Sequence, residues 1–163
     1  MAKNKEEKTN VMRVLEQKKI AYTAHTYPHE EGMAVDGVTV AKSMGFDPAI
    51  VFKTLVARGA SKQYYVFDVP VAENLDLKKA AKAVGEKSIE MIHQKELLPL
   101  TGYVHGGCSP VGMKKLFPTV FHETAENLAA MIVSAGKIGY QVELAPRDLA
   151  ALVRAKFADI IVE

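Results

Sequence analysis

Two short β-favouring runs, Phe52 to Ala57 and Tyr64 to Val69, flank Arg58-Gly-Ala-Ser-Lys62, and this spacing constrains the chain more than any other feature. A parallel crossover needs about a dozen residues or more, so the pair is expected to form an antiparallel hairpin. Met131 to Ser134 and Tyr140 to Leu144 read as a second pair of strands around Ala135 to Gly139. Helix signals fall between these pairs. Thr9 or Asn10 caps a helix with the apolar stripe Val11, Val14 and Leu15. Val38, Ala41 and Met44 face inward from a second helix stopped by Gly45, and Asp47-Pro48 opens a single turn.

The remaining segments are shorter. Ile20 to His29 reads as a strand that Pro28 places at a sheet edge or at its own end. Asp76 caps a helix bearing Leu77, Ala80, Ala81 and Val84 and ended by Gly85. Ile89 to Met91 and Gly102 to His105 are expected as strands on either side of a helical turn at Gln94 to Leu98. A strand at Thr119 to Phe121 precedes a helix capped by Thr124, and Pro146 begins a last helix with Leu149, Leu152 and Val153. The expectation is one α+β domain over residues 1–163, built on a mostly antiparallel or mixed sheet flanked by helices, with residues 1–8 frayed.

Composition supports a core: 48% of the 163 residues are hydrophobic and 25% charged. Cys108 is the only cysteine, so an internal disulfide and a four-thiolate zinc site are both excluded, and a reducing, intracellular setting fits. The charged first eight residues lack an apolar run after them, which reads against a secretory signal. Nowhere do about 18 apolar residues run together, so no membrane span is expected. Lysine and arginine number 21 against 19 acids, and a net charge of +2 decides nothing about a nucleic-acid partner.

Several motifs fail on their own chemistry. His25 and His29 are four apart, but Pro28 breaks the helix that would align them as metal ligands. Ser134-Ala-Gly-Lys137 has the tail of a phosphate loop without its first glycine or its magnesium-binding hydroxyl. No base is evident beside Cys108, which reads as a small side chain lining a turn.

Lys53 survives that scrutiny. It interrupts Ile50-Val-Phe-Lys53-Thr-Leu-Val56, and strand alternation sets it on the face of Val51 and Leu55. Such a cation either snorkels to solvent at an edge or waits, partly desolvated, for a phosphate or polarised carbonyl. Gly106-Gly-Cys-Ser-Pro110 is either a tight turn or a loop whose N–H groups receive an anion, and Ser134 to Gly139 could form a facing wall. Lys78, Lys79, Lys82 and Lys87, with Lys114, Lys115 and Lys137, are either solvated faces or a basic surface for phosphodiesters. Tyr27, between His25 and His29, is placed to stack on a base or bond a ribose.

His25-Thr-Tyr-Pro-His29, Val51-Phe-Lys-Thr-Leu55, Asp76-Leu-Lys-Lys79, Thr101-Gly-Tyr103, Gly106-Gly-Cys-Ser-Pro110 and Lys156-Phe-Ala-Asp159 together resemble the YbaK family. These are free-standing Cys-tRNA(Pro) deacylases related to the editing domain inserted in bacterial prolyl-tRNA synthetase. The resemblance runs from about Val11 to Asp159 and implies a barrel-like editing-domain fold. It also implies trans-editing in the cytoplasm, without metal or other cofactor. The thiol of the bound cysteinyl group would attack its own ester, giving a thiolactone and freeing the tRNA end. Lys53 matches the family's essential lysine. Tyr27, Gly106, Gly107, Ser109, Pro110, Ser134, Gly136 and Gln141 are the substrate-binding positions it implies. Gln141 stands where an aspartate is expected, and it can hydrogen-bond but not take up a proton. The implied partners are a misacylated tRNA acceptor end and prolyl-tRNA synthetase. Ala-tRNA(Pro) deacylation by the same fold, or a non-catalytic tRNA- or synthetase-binding adaptor, are the alternatives.

Overall fold

A computed structural model describes residues 8–163; of the lead-in expected to fray over residues 1–8, only Lys8 lies within them, paired with Glu16 at 2.9 Å. Thr9 caps α1 (Asn10–Gln17), its hydroxyl oxygen accepting from the Met12 N–H, and Val11, Met12 and Leu15 are buried. β1 (Thr23–Thr26) is shorter than its β-favouring run. The turn after α1 consumes its start, with Lys19 at φ +60° and the Ile20 N–H bonded back to the Leu15 carbonyl. Proline, lacking an N–H, stops the ladder at its other end.

α2 (Gly37–Met44) runs from Asp36, which accepts from the Thr39 N–H, to Gly45 in the left-handed region at φ +79°. Ala41 is buried and Met44 packs against it, as expected, but Val40 rather than Val38 is the buried valine. Asp47 caps the 3₁₀ turn Pro48–Ile50. β2 (Phe52–Gly59) and β3 (Tyr64–Pro70) pair antiparallel, with Lys53 opposite Val69 and Thr54 opposite Asp68. α3 (Leu77–Val84) follows, and β4 (Ile89–Met91) then adds antiparallel to β2.

Two expectations fail in the next segment. α4 (Gln94–Thr101) runs through Pro99, and Gly102 is its left-handed cap at φ +90°, so no strand forms at Gly102 to His105. A proline inside a helix costs about 3 kcal/mol; here the Thr101 hydroxyl donates to the Leu97 carbonyl at 2.8 Å and ties the last turn. After β5 (Thr119–His122), the segment expected as a helix is a 3₁₀ run, Glu123–Asn127. Only Ala125 in it is buried, and one small side chain cannot anchor a longer helix.

β6 (Met131–Ser134) and β7 (Tyr140–Leu144) pair antiparallel as their loop length required. α5 (Pro146–Val153) then turns at Arg154, φ +59°, into β8 (Ala155–Ala158), a strand the sequence did not announce. β8 pairs parallel with β5, and that distant partner rather than its own Ala-Lys-Phe-Ala composition makes it a strand.

The strands form two sheets, β1-β7-β6 and β4-β2-β3-β5-β8, the second mixed. They do not close into a barrel; a parallel bridge from Val51 to Ile132 joins their edges. The main core lies between them, with Val56, Val66 and Phe121 from the larger sheet meeting Val133, Val142 and Leu144 from the smaller. On the far face of the larger sheet, Ala80 and Ala81 of α3 pack on Phe67, Val69 and Val120. Fully burying a side chain such as Phe67 contributes about 1.5–3 kcal/mol. The seam by Val51 brings the start of β2 beside the β6–β7 hairpin.

Candidate active site

At that seam lies a cavity of about 370 Å³. Its wall draws on Tyr27 just past β1, Asp36 at the start of α2, Lys53 and Thr54 on β2, Gly106 and Cys108 in the glycine loop, and Ser134 and Gln141 on β6 and β7. Ser134 and Gln141 are direct cross-strand partners, so one hairpin presents both.

Lys53 lies half-buried in this wall. Loss of hydration pulls its pKa down, and the negative charges of Asp36 and Glu73 push the other way. No hydrogen bond or ion pair among the described residues holds its ammonium. An incoming anion or carbonyl would restore what burial costs the charge.

The two glycine loops touch. A Cβ on Gly107 would sit 3.1 Å from the Ile138 nitrogen, and one on Gly106 would sit 2.7 Å from the Ala34 Cβ. Gly106 also stands at φ +89°, where side chains are strained. Ser109 is fully buried, and its hydroxyl oxygen accepts from the Val111 N–H at 3.2 Å, bracing the turn. Gly107 and Pro110 are buried behind the wall in the same way. Gly136 donates its N–H to the Ser134 hydroxyl at 3.0 Å and packs on Tyr103 and Val11. Thus Tyr27, Lys53, Gly106, Ser134 and Gln141 meet in the cavity, while Gly107, Ser109, Pro110 and Gly136 stand outside its lining and hold its loops in place.

The other groups take definite roles. Tyr27 is buried, its N–H donating to the Gly139 carbonyl at 3.0 Å, and burial raises its phenol pKa. His29 stacks edge-on to it at 6.1 Å, whereas His25 turns away to pair with Glu143 at 2.7 Å. Burial pushes the Cys108 thiol up to about 12, which leaves it neutral and a poor nucleophile. Gln141 is buried, and its Oε1 has no hydrogen-bond partner among the described residues. Lys79, grouped in the sequence with a basic surface, instead bonds Asp159 at 3.0 Å and the Ile161 carbonyl at 2.9 Å. Its charge ties down the C-terminal segment. The arrangement offers a cation and an acceptor, both unpaired among the described residues, around one cavity.

Residues 29–152 match the sequence pattern of the aminoacyl-tRNA editing domain. The chain belongs to that family. It is 47% identical to EbsC of Enterococcus faecalis, which is named for Cys-tRNA(Pro)/Cys-tRNA(Cys) deacylase activity, and the match covers 98% of each chain. A crystal structure described as a trans-editing enzyme for prolyl tRNA synthetase superposes with a TM-score of 0.79 at 25% identity, over 94% of this chain and 95% of that one. The protein APE2540 shares the fold, with a TM-score of 0.82 at 19% identity over 93% and 99% of the two chains. Membership of the editing family makes misacylated tRNA the class of substrate. No helix among the described residues is long and apolar enough to cross a membrane.

Reading the sequence missed Asp36, Thr54 and Asp68. Asp36 carried a signal, a capping aspartate directly before an apolar helix. Thr54 lies beside Lys53 and lines the same cavity. Asp68 was visible as a lone acid in Tyr64-Tyr-Val-Phe-Asp-Val-Pro70, where a carboxylate in an apolar strand needs an explanation.

Proposed function

We propose that this chain is a trans-editing deacylase, one editing domain acting in the cytoplasm, that removes cysteine from Cys-tRNA(Pro) and also accepts Cys-tRNA(Cys). The observation that carries this reading is the half-buried, unpaired Lys53 sharing a cavity with the glycine loop and with Ser134 and Gln141. Its relative EbsC supplies the substrate class by name. Cysteine and proline are close enough in size that a synthetase pocket rejects one poorly, so a second site must clear the error.

In this reading the terminal adenosine and its ester enter the cavity, and the Lys53 ammonium anchors them. Tyr27 packs on the nucleoside, and Gly106 leaves its backbone open for close approach. The substrate thiol attacks its own carbonyl: the S–C bond forms, the ester C–O bond to the ribose breaks, and a thiolactone leaves. An attack within one molecule needs no second reactant to be localised. Backbone N–H groups of the glycine loop stabilise the developing oxyanion. The Gln141 Oε1 accepts from the ligand's ammonium or ribose hydroxyl, satisfying an otherwise orphaned atom. Selection of the proline tRNA comes from association with prolyl-tRNA synthetase.

The test sets cysteinyl and alanyl esters of tRNA(Pro) side by side. Wild-type protein should consume the cysteinyl ester and release thiolactone, and Lys53→Ala should slow this about 100-fold or more. Faster turnover of the alanyl ester would make this an alanine deacylase, since alanine has no thiol to attack with. Unchanged lifetimes of both esters, despite tRNA binding, would leave an adaptor.

A further inference from the structure

Behind the cavity wall sits a carboxylate that this mechanism has not used. Asp68 on β3 is fully buried, yet no cation pairs with it among the described residues. Its Oδ1 accepts a hydrogen bond from the Thr54 hydroxyl at 2.5 Å, and its Oδ2 has no partner among the described residues. The pairing is built in by register, because Thr54 and Asp68 are direct partners across the β2–β3 ladder. Alternation sends Lys53, next along β2, to the opposite face, so its ammonium is not the counter-ion. Thr54 lines the cavity, as do Gly106 and Cys108. On the other side of β3, Phe121 of β5 stands opposite Asp68, and Cys108 is the titratable neighbour whose thiol feels its charge.

A buried acid with a hydroxyl between it and a reaction cavity controls which way that hydroxyl points. While Asp68 is ionised, Thr54 must donate to it, so the Thr54 lone pairs face outward into the cavity. We propose that Thr54 is the hydrogen-bond acceptor for the thiol of the bound cysteinyl group, and that Asp68 is the positioning residue that receives a proton through it. This rests on the deacylase reading above. As sulfur attacks the ester carbonyl, its proton passes to Thr54 Oγ1 while the Thr54 proton passes to Asp68 Oδ1. When the C–O bond to the ribose breaks, the departing oxygen takes a proton back along the same path. The pair therefore ends as it began, and thiol plus ester become thiolactone plus alcohol with no co-reactant. Burial raises the Asp68 pKa to about 7, so the acceptor gains and loses its proton in the range where such a relay works. A thiol with no acceptor would have to lose its proton to solvent before attacking, rather than in step with the attack.

The experiment is a single-turnover deacylation of Cys-tRNA(Pro) from pH 5.5 to 8.5 with wild type, Asp68→Asn, Thr54→Val and Thr54→Ser. The wild-type rate should rise through about pH 7. Asp68→Asn and Thr54→Val should be slowed about 100-fold, with the remaining rise displaced toward the ionisation of a free thiol, about pH 8.5. Thr54→Ser, which keeps the hydroxyl, should retain the rate and the profile. Binding of tRNA(Pro) should be equal in all four. Wild-type rates and midpoints in Asp68→Asn or in Thr54→Val would overturn the relay. If Asp68→Asn fails to fold, the contrast between Thr54→Val and Thr54→Ser decides alone. An inactive wild-type protein would instead overturn the deacylase reading, so the two failures are distinct.

Discussion

Lys53 and Asp68 are charges of opposite sign on neighbouring strands that never meet, because alternation sends them to opposite faces of the larger sheet. Neither has an ionic partner among the described residues, and a fold selected only for stability would hold neither. Asp68 makes this measurable. Its carboxyl moves from the ordinary 3.8 to about 7 on folding, so the folded state holds a proton that the unfolded state has lost between roughly pH 4 and 7. Stability from this group is complete below pH 4 and is lost as pH rises through 7, a change on the order of 4 kcal/mol. His122 acts in the reverse sense. Burial holds its pKa below 6.5, so it withdraws stability as pH falls through that value. Asp68→Asn removes only the first effect. Thermal melts should show its advantage over wild type growing from pH 5 to pH 8, whereas an equal offset at both pH values would mean that Asp68 does not titrate on unfolding.

At the scale of elements, the helices are bounded by side-chain chemistry. Asp76 accepts from the N–H groups of Lys78 and Lys79 at 2.9 and 3.0 Å, and Gly85 closes the same helix at φ +74°. α3 packs on the face of the larger sheet carrying Phe67 and Val69, against a core cluster separate from the one between the sheets. Asp76→Ala should therefore cost about 1 kcal/mol in urea unfolding while leaving deacylation unchanged. A parallel loss of activity would show that the packing of α3 is coupled to Lys53, which shares this face with its ladder partner Val69. These caps were legible because each acts within three or four residues. The burial of Val40 in α2, the passage of α4 through Pro99, and β8 were not, since each is set by what packs or pairs against it from elsewhere in the chain.

At the scale of the whole molecule, two of the lysines that the sequence grouped as a basic surface are engaged within the fold. Lys79 is committed to Asp159, and Lys137 lies 5.4 Å over the Tyr140 ring. A cavity of about 370 Å³ has room for an aminoacylated nucleoside and none for features that distinguish one tRNA from another. Alone, the protein should deacylate Cys-tRNA(Pro) and Cys-tRNA(Cys) at similar rates. Added prolyl-tRNA synthetase should favour the former several-fold, with the preference fading as salt rises. Equal rates in its presence would exclude the synthetase as the source of selection.

What the sequence determined alone was everything that short spacing and local chemistry control. Two tight loops made two antiparallel hairpins, and aspartate and glycine marked where helices begin and end. An interrupted apolar run marked Lys53 as a charge out of place. What only the tertiary structure decided was which residues meet. The Val51–Ile132 bridge sets one hairpin beside the other, and so gathers Lys53, Ser134, Gln141 and Gly106 into one cavity. The same packing buries Ser109 as a brace and closes over Asp68, whose pairing with Thr54 the hairpin register supplies. Spacing along a chain fixes the face a side chain occupies, but the energy of a buried charge depends on what stands opposite it, and that neighbour arrives only when distant segments fold together.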